Sequence, residues 1–161
     1  MLDDSLIAIF ARRALGEIQA QEIVEWAVQE LVAGRDTPTL CVLAGMSPPF
    51  YHSEVDEQFS KALAELRIVP PDKETCLRLY ARQIAQALLD DKISIPVACD
   101  TLSGVFTDSY ESEYGVWFNL YWAWRDLIEG FDTHEYDAAD LTLANFDDYA
   151  RIEARKFLSE L

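Results

Sequence analysis

Apolar positions along this chain recur every three to four residues in nearly every stretch long enough to show a period, the mark of amphipathic helices. Asp3 or Asp4 stands where a helix cap belongs, Leu6, Phe10 and Ala14 follow on one face, and Gly16 supplies a stop. A second helix is predicted from Ala20 to Ala33. Its outer positions are Glu22, Glu25 and Gln29, its inner ones Ile23, Ala27 and Leu31, and Gly34 lies beyond its end. Thr37-Pro38 sets proline at a first helical position and opens a short apolar helix that closes at Gly45. After the break at Ser47-Pro48-Pro49, Ser53 begins a fourth helix with Val55, Phe59, Ala62, Leu63 and Leu66 inward.

Pro70-Pro71 precedes a long helix of about Glu74 to Leu89. Cys76, Tyr80, Ile84, Ala87 and Leu88 form its predicted dry face, and Arg78 and Arg82 share the wet one. Pro96 starts a short sixth helix, and from Ser103 to Ser112 the period lapses, which reads as a loop. Helix resumes from about Glu113 to Glu129. A polar segment, Gly130 to Ala139, leads to a last helix from Asp140 to about Ser159, with Leu143, Phe146, Ala150, Ala154 and Phe157 inward. Asp147 and Asp148 near its start and Arg151, Arg155 and Lys156 near its end complement the helix dipole. No stretch alternates cleanly as a strand would. The expectation is an all-α fold, one helical domain over residues 1–161, packed as a bundle of about seven or eight helices with short connections. A chain of this length buries about two-thirds of its unfolded surface, so neither a disulfide nor a metal is needed to hold it. The corners Gly16-Glu17-Ile18-Gln19 and Asp91-Lys92-Ile93-Ser94 echo each other, an isoleucine plugging each.

Charge narrows the class of partner. The formal net charge is −16, and twelve carboxylates between Ile93 and Ala150 face a single basic residue, Arg125. Nucleic acid phosphates and anionic membranes are repelled over about 8 Å at physiological salt, whereas a cationic protein is attracted and steered. Cys41, Cys76 and Cys99 are odd in number and widely spaced, which reads as three buried thiols in a reducing cytoplasm. The start, Met1-Leu2-Asp3-Asp4, is acidic where a secretory signal is basic, and no apolar run nears the roughly 18 residues that span a bilayer. A soluble, cytoplasmic protein of bacterial type is expected.

The densest aromatic run, Tyr114 to Trp124, lies inside the acidic stretch. On a helical wheel Trp117, Leu120, Tyr121, Trp124, Leu127 and Ile128 share one face. Phe118 and Trp122 occupy a second, and Asn119, Ala123 and Asp126 the remaining arc. A helix buried on two sides, each indole N–H satisfied internally, is the simplest reading. The functional alternative leaves Phe118 and Trp122 as binding anchors beside Arg125. Tyr110, Glu111, Glu113 and Tyr114 interleave tyrosine with carboxylate, a pattern that packs on and neutralises a partner's arginine or lysine. Asp132, Asp137 and Asp147 extend the acidic face.

Signals for catalysis or cofactors are missing. Asp132, His134, Glu135, Asp137 and Asp140 crowd together but lack the calcium-loop spacing, and His134-Glu135 has no second histidine one turn on. Neither His52 nor His134 stands four to six residues after an arginine, the spacing of HEPN-type helical ribonucleases. No nucleophile elbow, phosphate loop or dinucleotide fingerprint occurs. Asp90-Asp91, at the electrostatically unfavourable end of a helix, reads as solvated. These features predict a small acidic protein without catalytic, metal or cofactor site, which binds a basic protein through an acidic, aromatic-anchored face. Small helical immunity proteins share that logic of size and charge, with no shared motif. Two other readings stay open. One is a ligand-binding or enzymatic bundle with a pocket lined by the Trp117–Trp124 helix. The other is a homo-oligomeric subunit, such as a homodimer, that buries the second aromatic face against its own copy.

Overall fold

The computed structural model describes residues 3–133 and 140–160. Among them the chain is all-α, with eight α-helices, one 3₁₀ turn and no strand. The helices are α1 (Asp4–Ala14), α2 (Ala20–Val32), α3 (Pro38–Ala44), α4 (His52–Glu65), α5 (Lys73–Leu89), α6 (Ile95–Ser109), α7 (Gly115–Glu129) and α8 (Phe146–Glu160). The 3₁₀ turn, Ser112–Tyr114, sits directly before α7. Contacts cluster the chain into two compact units, Met1–Cys76 and Leu77–Leu161, and the boundary falls in the first turn of α5.

In the first unit the polar punctuation does what the sequence predicts. The Asp3 carboxylate accepts from the Leu6 N–H at 2.8 Å and caps α1, and Thr37 Oγ1 accepts from Leu40 N at 3.3 Å before α3. Glu22 reaches back to the Gln19 N–H at 3.0 Å at the start of α2, half of a capping box. Glu65, at the end of α4, accepts from the Thr39 N–H at 3.0 Å and so ties α4 to the first turn of α3. The core gathers around Phe59, which is fully buried on α4. Trp26 stands perpendicular to its ring at a centroid distance of 5.1 Å, and Phe10 packs at 6.1 Å. Glu30 is buried yet paired, its carboxylate receiving the Arg35 guanidinium. That pairing offsets the cost of burying its charge.

The second unit departs from expectation at three places. Helix α6 runs through the segment read as a loop, so the predicted short helix is fifteen residues long. Leu102 and Val105 are fully buried and Ser103 nearly so. The Thr107 hydroxyl donates to the Ser103 carbonyl at 2.9 Å, which satisfies a polar side chain inside the helix. Weak helix formers here are overridden by packing, since α6 and α7 share the most extensive interface of the unit. On α5 the dry face is rotated: Leu77, Ala81 and Ala85 are buried with Cys76, Tyr80 and Leu88, while Ile84 and Ala87 are only half-buried.

The last helix begins at Phe146 rather than Asp140, because Asn145 builds a turn in front of it. Its Oδ1 accepts from Thr142 N and its Nδ2 donates to the Asp140 carbonyl, both at 2.8 Å. Leu143, expected inward, is therefore in the turn and exposed, while Phe146, Ala150, Ala154 and Phe157 are buried as predicted. Arg151 fastens α8 to the end of α5. Its guanidinium donates to the Leu88 carbonyl at 3.1 Å, to Asp91 at 2.7 Å and to Asp147 at 3.0 Å. Asp91, read as simply solvated, thus has a cation. The two echoing corners share a left-handed residue, Gly16 at φ 73° and Asp91 at φ 58°. Each corner closes by a backbone bond across it, Glu17 N to Arg12 O and Lys92 N to Ala87 O.

Truncating Phe59 to alanine removes the ring on which Phe10 and Trp26 pack, and its expected cost is about 3–5 kcal/mol of unfolding free energy. The denaturant midpoint measures it. A loss under about 1 kcal/mol contradicts this account of the core.

Candidate functional site

Helix α7 places its aromatic side chains on two sides. Trp117, Leu120 and Ala123 are buried, with Tyr121, Trp124 and Leu127 half-buried around them. Ala123, on the remaining arc of the wheel with Asn119 and Asp126, is fully enclosed, and Ile128, on the face shared with Trp117, is exposed. The buried stripe is thus turned about one position from the predicted one. Helix α8 supplies much of the cover: Phe146 packs on Trp124 at 5.1 Å and Phe157 on Trp117 at 6.4 Å.

Tyr114, expected to help bind a partner, belongs to this core. It is 2 % exposed and packs on Phe157 at 5.7 Å. Burial first, then its hydrogen bond to Glu113, pushes the phenol pKa upward. The expected satisfaction of the indole N–H groups is also corrected. Trp26 Nε1 and Trp117 Nε1 are buried with no hydrogen-bond partner among the described residues. Each indole stands perpendicular to a phenyl ring, Phe59 and Phe157 respectively, one of the arrangements that aromatic pairs prefer.

The other side of α7 carries a continuous ladder of rings. Tyr110 meets Phe106 at 6.3 Å, Phe106 meets Phe118 at 5.3 Å, Phe118 meets Trp122 at 6.2 Å, and Trp122 meets Tyr121 at 5.3 Å. Phe106 and Phe118 are half-buried between the two helices, whereas Trp122 is 36 % and Tyr110 77 % exposed. The Arg125 guanidinium lies over Trp122 at 5.3 Å and over Tyr121 at 5.9 Å. The ring faces at that end therefore already hold a cation, which the ring quadrupole attracts.

Of the residues singled out from the sequence, Tyr110, Phe118, Trp122 and Arg125 come together in this ladder. Glu111 and Glu113 are exposed directly after Tyr110 in the chain. Asp132 is exposed beyond the end of α7, and Asp147 is exposed in the first turn of α8, where it pairs with Arg151. Asp137 lies outside the described residues, as do His134 and Glu135 of the crowded acidic segment. Phe106 and Tyr121 were not among the expected contacts. Phe106 joins the two halves of the ladder, and its spacing of four from Tyr110 is the helical signal hidden by reading 103–112 as a loop.

Nucleophile chemistry finds little support. Cys41, expected to be buried, is exposed, and its thiol donates to Asp36 at 3.2 Å. That hydrogen bond raises its pKa and keeps it protonated. Cys76 and Cys99 are buried, and desolvation, with the Asp100 charge behind it, pushes Cys99 up to about 12. His52 is exposed at the first position of α4. Two open hollows, of about 220 and 300 Å³, are lined by residues of the first unit such as Arg12, Glu22 and Trp26, or Glu30, Arg35 and Arg67. Neither is lined by α7. Among the described residues no group of three or more His, Cys, Asp or Glu is placed to hold a metal ion, and no helix is long and apolar enough to cross a membrane. Comparison of the chain with protein-family models, with characterised proteins and with solved structures finds no match.

The Cys99 thiol makes stability pH-dependent in a defined window. In the unfolded chain it ionises near the ordinary value of 9.0, and in the folded chain only near 12. Between those values the unfolded state has lost a proton that the folded state keeps, so stability is complete below pH 9 and falls as pH rises. The limiting slope is about 1.4 kcal/mol per pH unit for one group. Denaturant melts across this range should show a steeper decline for the parent than for Cys99→Ala; parallel declines contradict the assignment.

Proposed function

We propose that this chain is a small acidic protein that binds a basic protein, with the ladder of Tyr110, Phe106, Phe118 and Trp122 as its anchor. The observation that carries the reading is that the ladder is continuous, reaches the surface at both ends, and lies in the most acidic stretch of the chain. Exposed rings supply contact area at low conformational cost, and carboxylates around them attract and orient a cationic surface. Arg125 on Trp122 illustrates the pairing within the chain itself. The net charge of −16 opposes nucleic acid, anionic lipid and, to a lesser degree, a second copy of the chain as the counterpart. The reading is of a cytoplasmic binding protein that acts without catalysis or cofactor.

Titration of the isotope-labelled protein with a short peptide of mixed arginine and lysine tests this. The Trp122 indole signal and the amides of Glu111 to Phe118 are expected to shift, with affinity falling as salt is added. Trp122→Ala is expected to cost about 2 kcal/mol of binding, roughly thirtyfold. Shifts confined to α1–α4, or an affinity indifferent to salt and to Trp122→Ala, contradict the proposal.

A further inference from the structure

Tyr110 occupies a position that its chemistry does not favour. It ends α6 at φ 56°, in the left-handed region that glycine enters freely and a residue with a bulky side chain enters at a cost. The other left-handed non-glycine residues, Arg67 and Asp91, each sit in a corner closed by a second backbone bond, Ile68 N to Leu63 O and Lys92 N to Ala87 O. At Tyr110 the local bonds are its own N–H to Phe106 O at 2.7 Å and the Glu111 N–H to the Ser109 hydroxyl at 3.3 Å. Burial does not offset the strain, because the side chain is 77 % exposed. A strained backbone therefore holds an aromatic ring out in water, at the open end of the ladder.

The surroundings of that ring define what it suits. Asp108, Glu111 and Glu113 flank it in the chain, and no lysine or arginine occurs from Ile93 to Trp124. Arg78 of α5 is the cation that acts on neighbouring Tyr114, where Glu113 and Glu111 outnumber it. At the opposite end of the ladder the chain's own guanidinium, that of Arg125, is already seated over Trp122 and Tyr121. A guanidinium is planar, weakly hydrated and forked, so it can lie on a ring while donating two parallel hydrogen bonds to a carboxylate. An ammonium is a compact, strongly hydrated point charge that gains less from the ring.

Resting on the docking reading above, we propose that Tyr110 is the specificity-determining residue of this face: it selects an arginine-bearing segment of the basic partner over a lysine-bearing one. The partner's guanidinium stacks on the Tyr110 ring and pairs with the carboxylates beside it. The occupant is set by charge complementarity and by the same cation–ring contact that Arg125 makes within the chain.

Capped hexa-arginine and hexalysine peptides, titrated at equal ionic strength and followed by the indole signals, test this directly. Hexa-arginine is expected to bind about fivefold more tightly, the factor given by one exposed cation–ring contact. Tyr110→Phe should keep that preference, because it keeps the ring. Tyr110→Gly should abolish it with hexalysine affinity unchanged. Its melting temperature should be no lower than the parent's, since glycine relieves the strain; a structural role for the ring predicts a lower one. Equal affinities in the parent, with Trp122 still perturbed, overturn the role of Tyr110 and leave the docking reading standing. A preference that survives in Tyr110→Gly also overturns it. If neither peptide perturbs Trp122, both fail.

Discussion

Helix α7 carries more aromatic surface than one side of a fifteen-residue helix can bury, and the second unit is arranged around that constraint. Trp117, Leu120 and Ala123 sink into the core, where α8 adds Phe157 and Phe146 and the 3₁₀ turn adds Tyr114. Each fully buried large apolar side chain contributes about 1.5–3 kcal/mol. That side of the helix settles its orientation, and Phe118 and Trp122 are then left on the other side. They reach a partial cover through Phe106 on α6, and the ladder ends in water at Tyr110 and Trp122. Exposed apolar strips of this kind are where proteins often meet partners, which is the basis of the proposed docking.

Apolar packing, rather than the many ion pairs, holds the chain together. Lys61–Glu57, Lys92–Asp90 and Lys156–Glu153 are surface pairs, worth about 0–1 kcal/mol each and screened by salt. Two arginines do more. Arg35 meets the buried carboxylate of Glu30, which without it is a buried unpaired charge. Arg151 brings three acceptors together at the end of α5, including the Leu88 carbonyl, which also accepts from the Asp91 N–H at 3.2 Å. Both arginines thus serve the fold itself, and in the stretch from Ile93 to Ala150 Arg125 is the lone lysine or arginine among twelve carboxylates.

Most of the helical layout was legible because its signals are local. Asp3, Thr37-Pro38 and Gly34 mark helix ends through one or two residues each, and Val55, Phe59, Ala62 and Leu63 declare a period within one helix. The misreadings share a cause. Ser103, Gly104 and Thr107 weaken the helical signal, and only the partner helix α7 restores it. The burial of Tyr114 likewise depends on Phe157, more than forty residues away in sequence. Asn145 moves the start of α8 through two side-chain bonds that no periodicity displays. The Phe118 and Trp122 end of the ladder could be read from spacing alone, whereas its continuity through Phe106 required knowing that α6 extends to Ser109.

The central claim is that α7 seals one indole within the core and leaves another open to water. Addition of a neutral, soluble paramagnetic agent to the labelled protein measures this directly through the broadening of the indole N–H signals. Strong broadening of Trp122, with Trp117 and Trp26 nearly untouched, is the predicted result. A Trp122 signal as protected as that of Trp117 contradicts the account, because the ladder is then covered and offers nothing for a partner to touch.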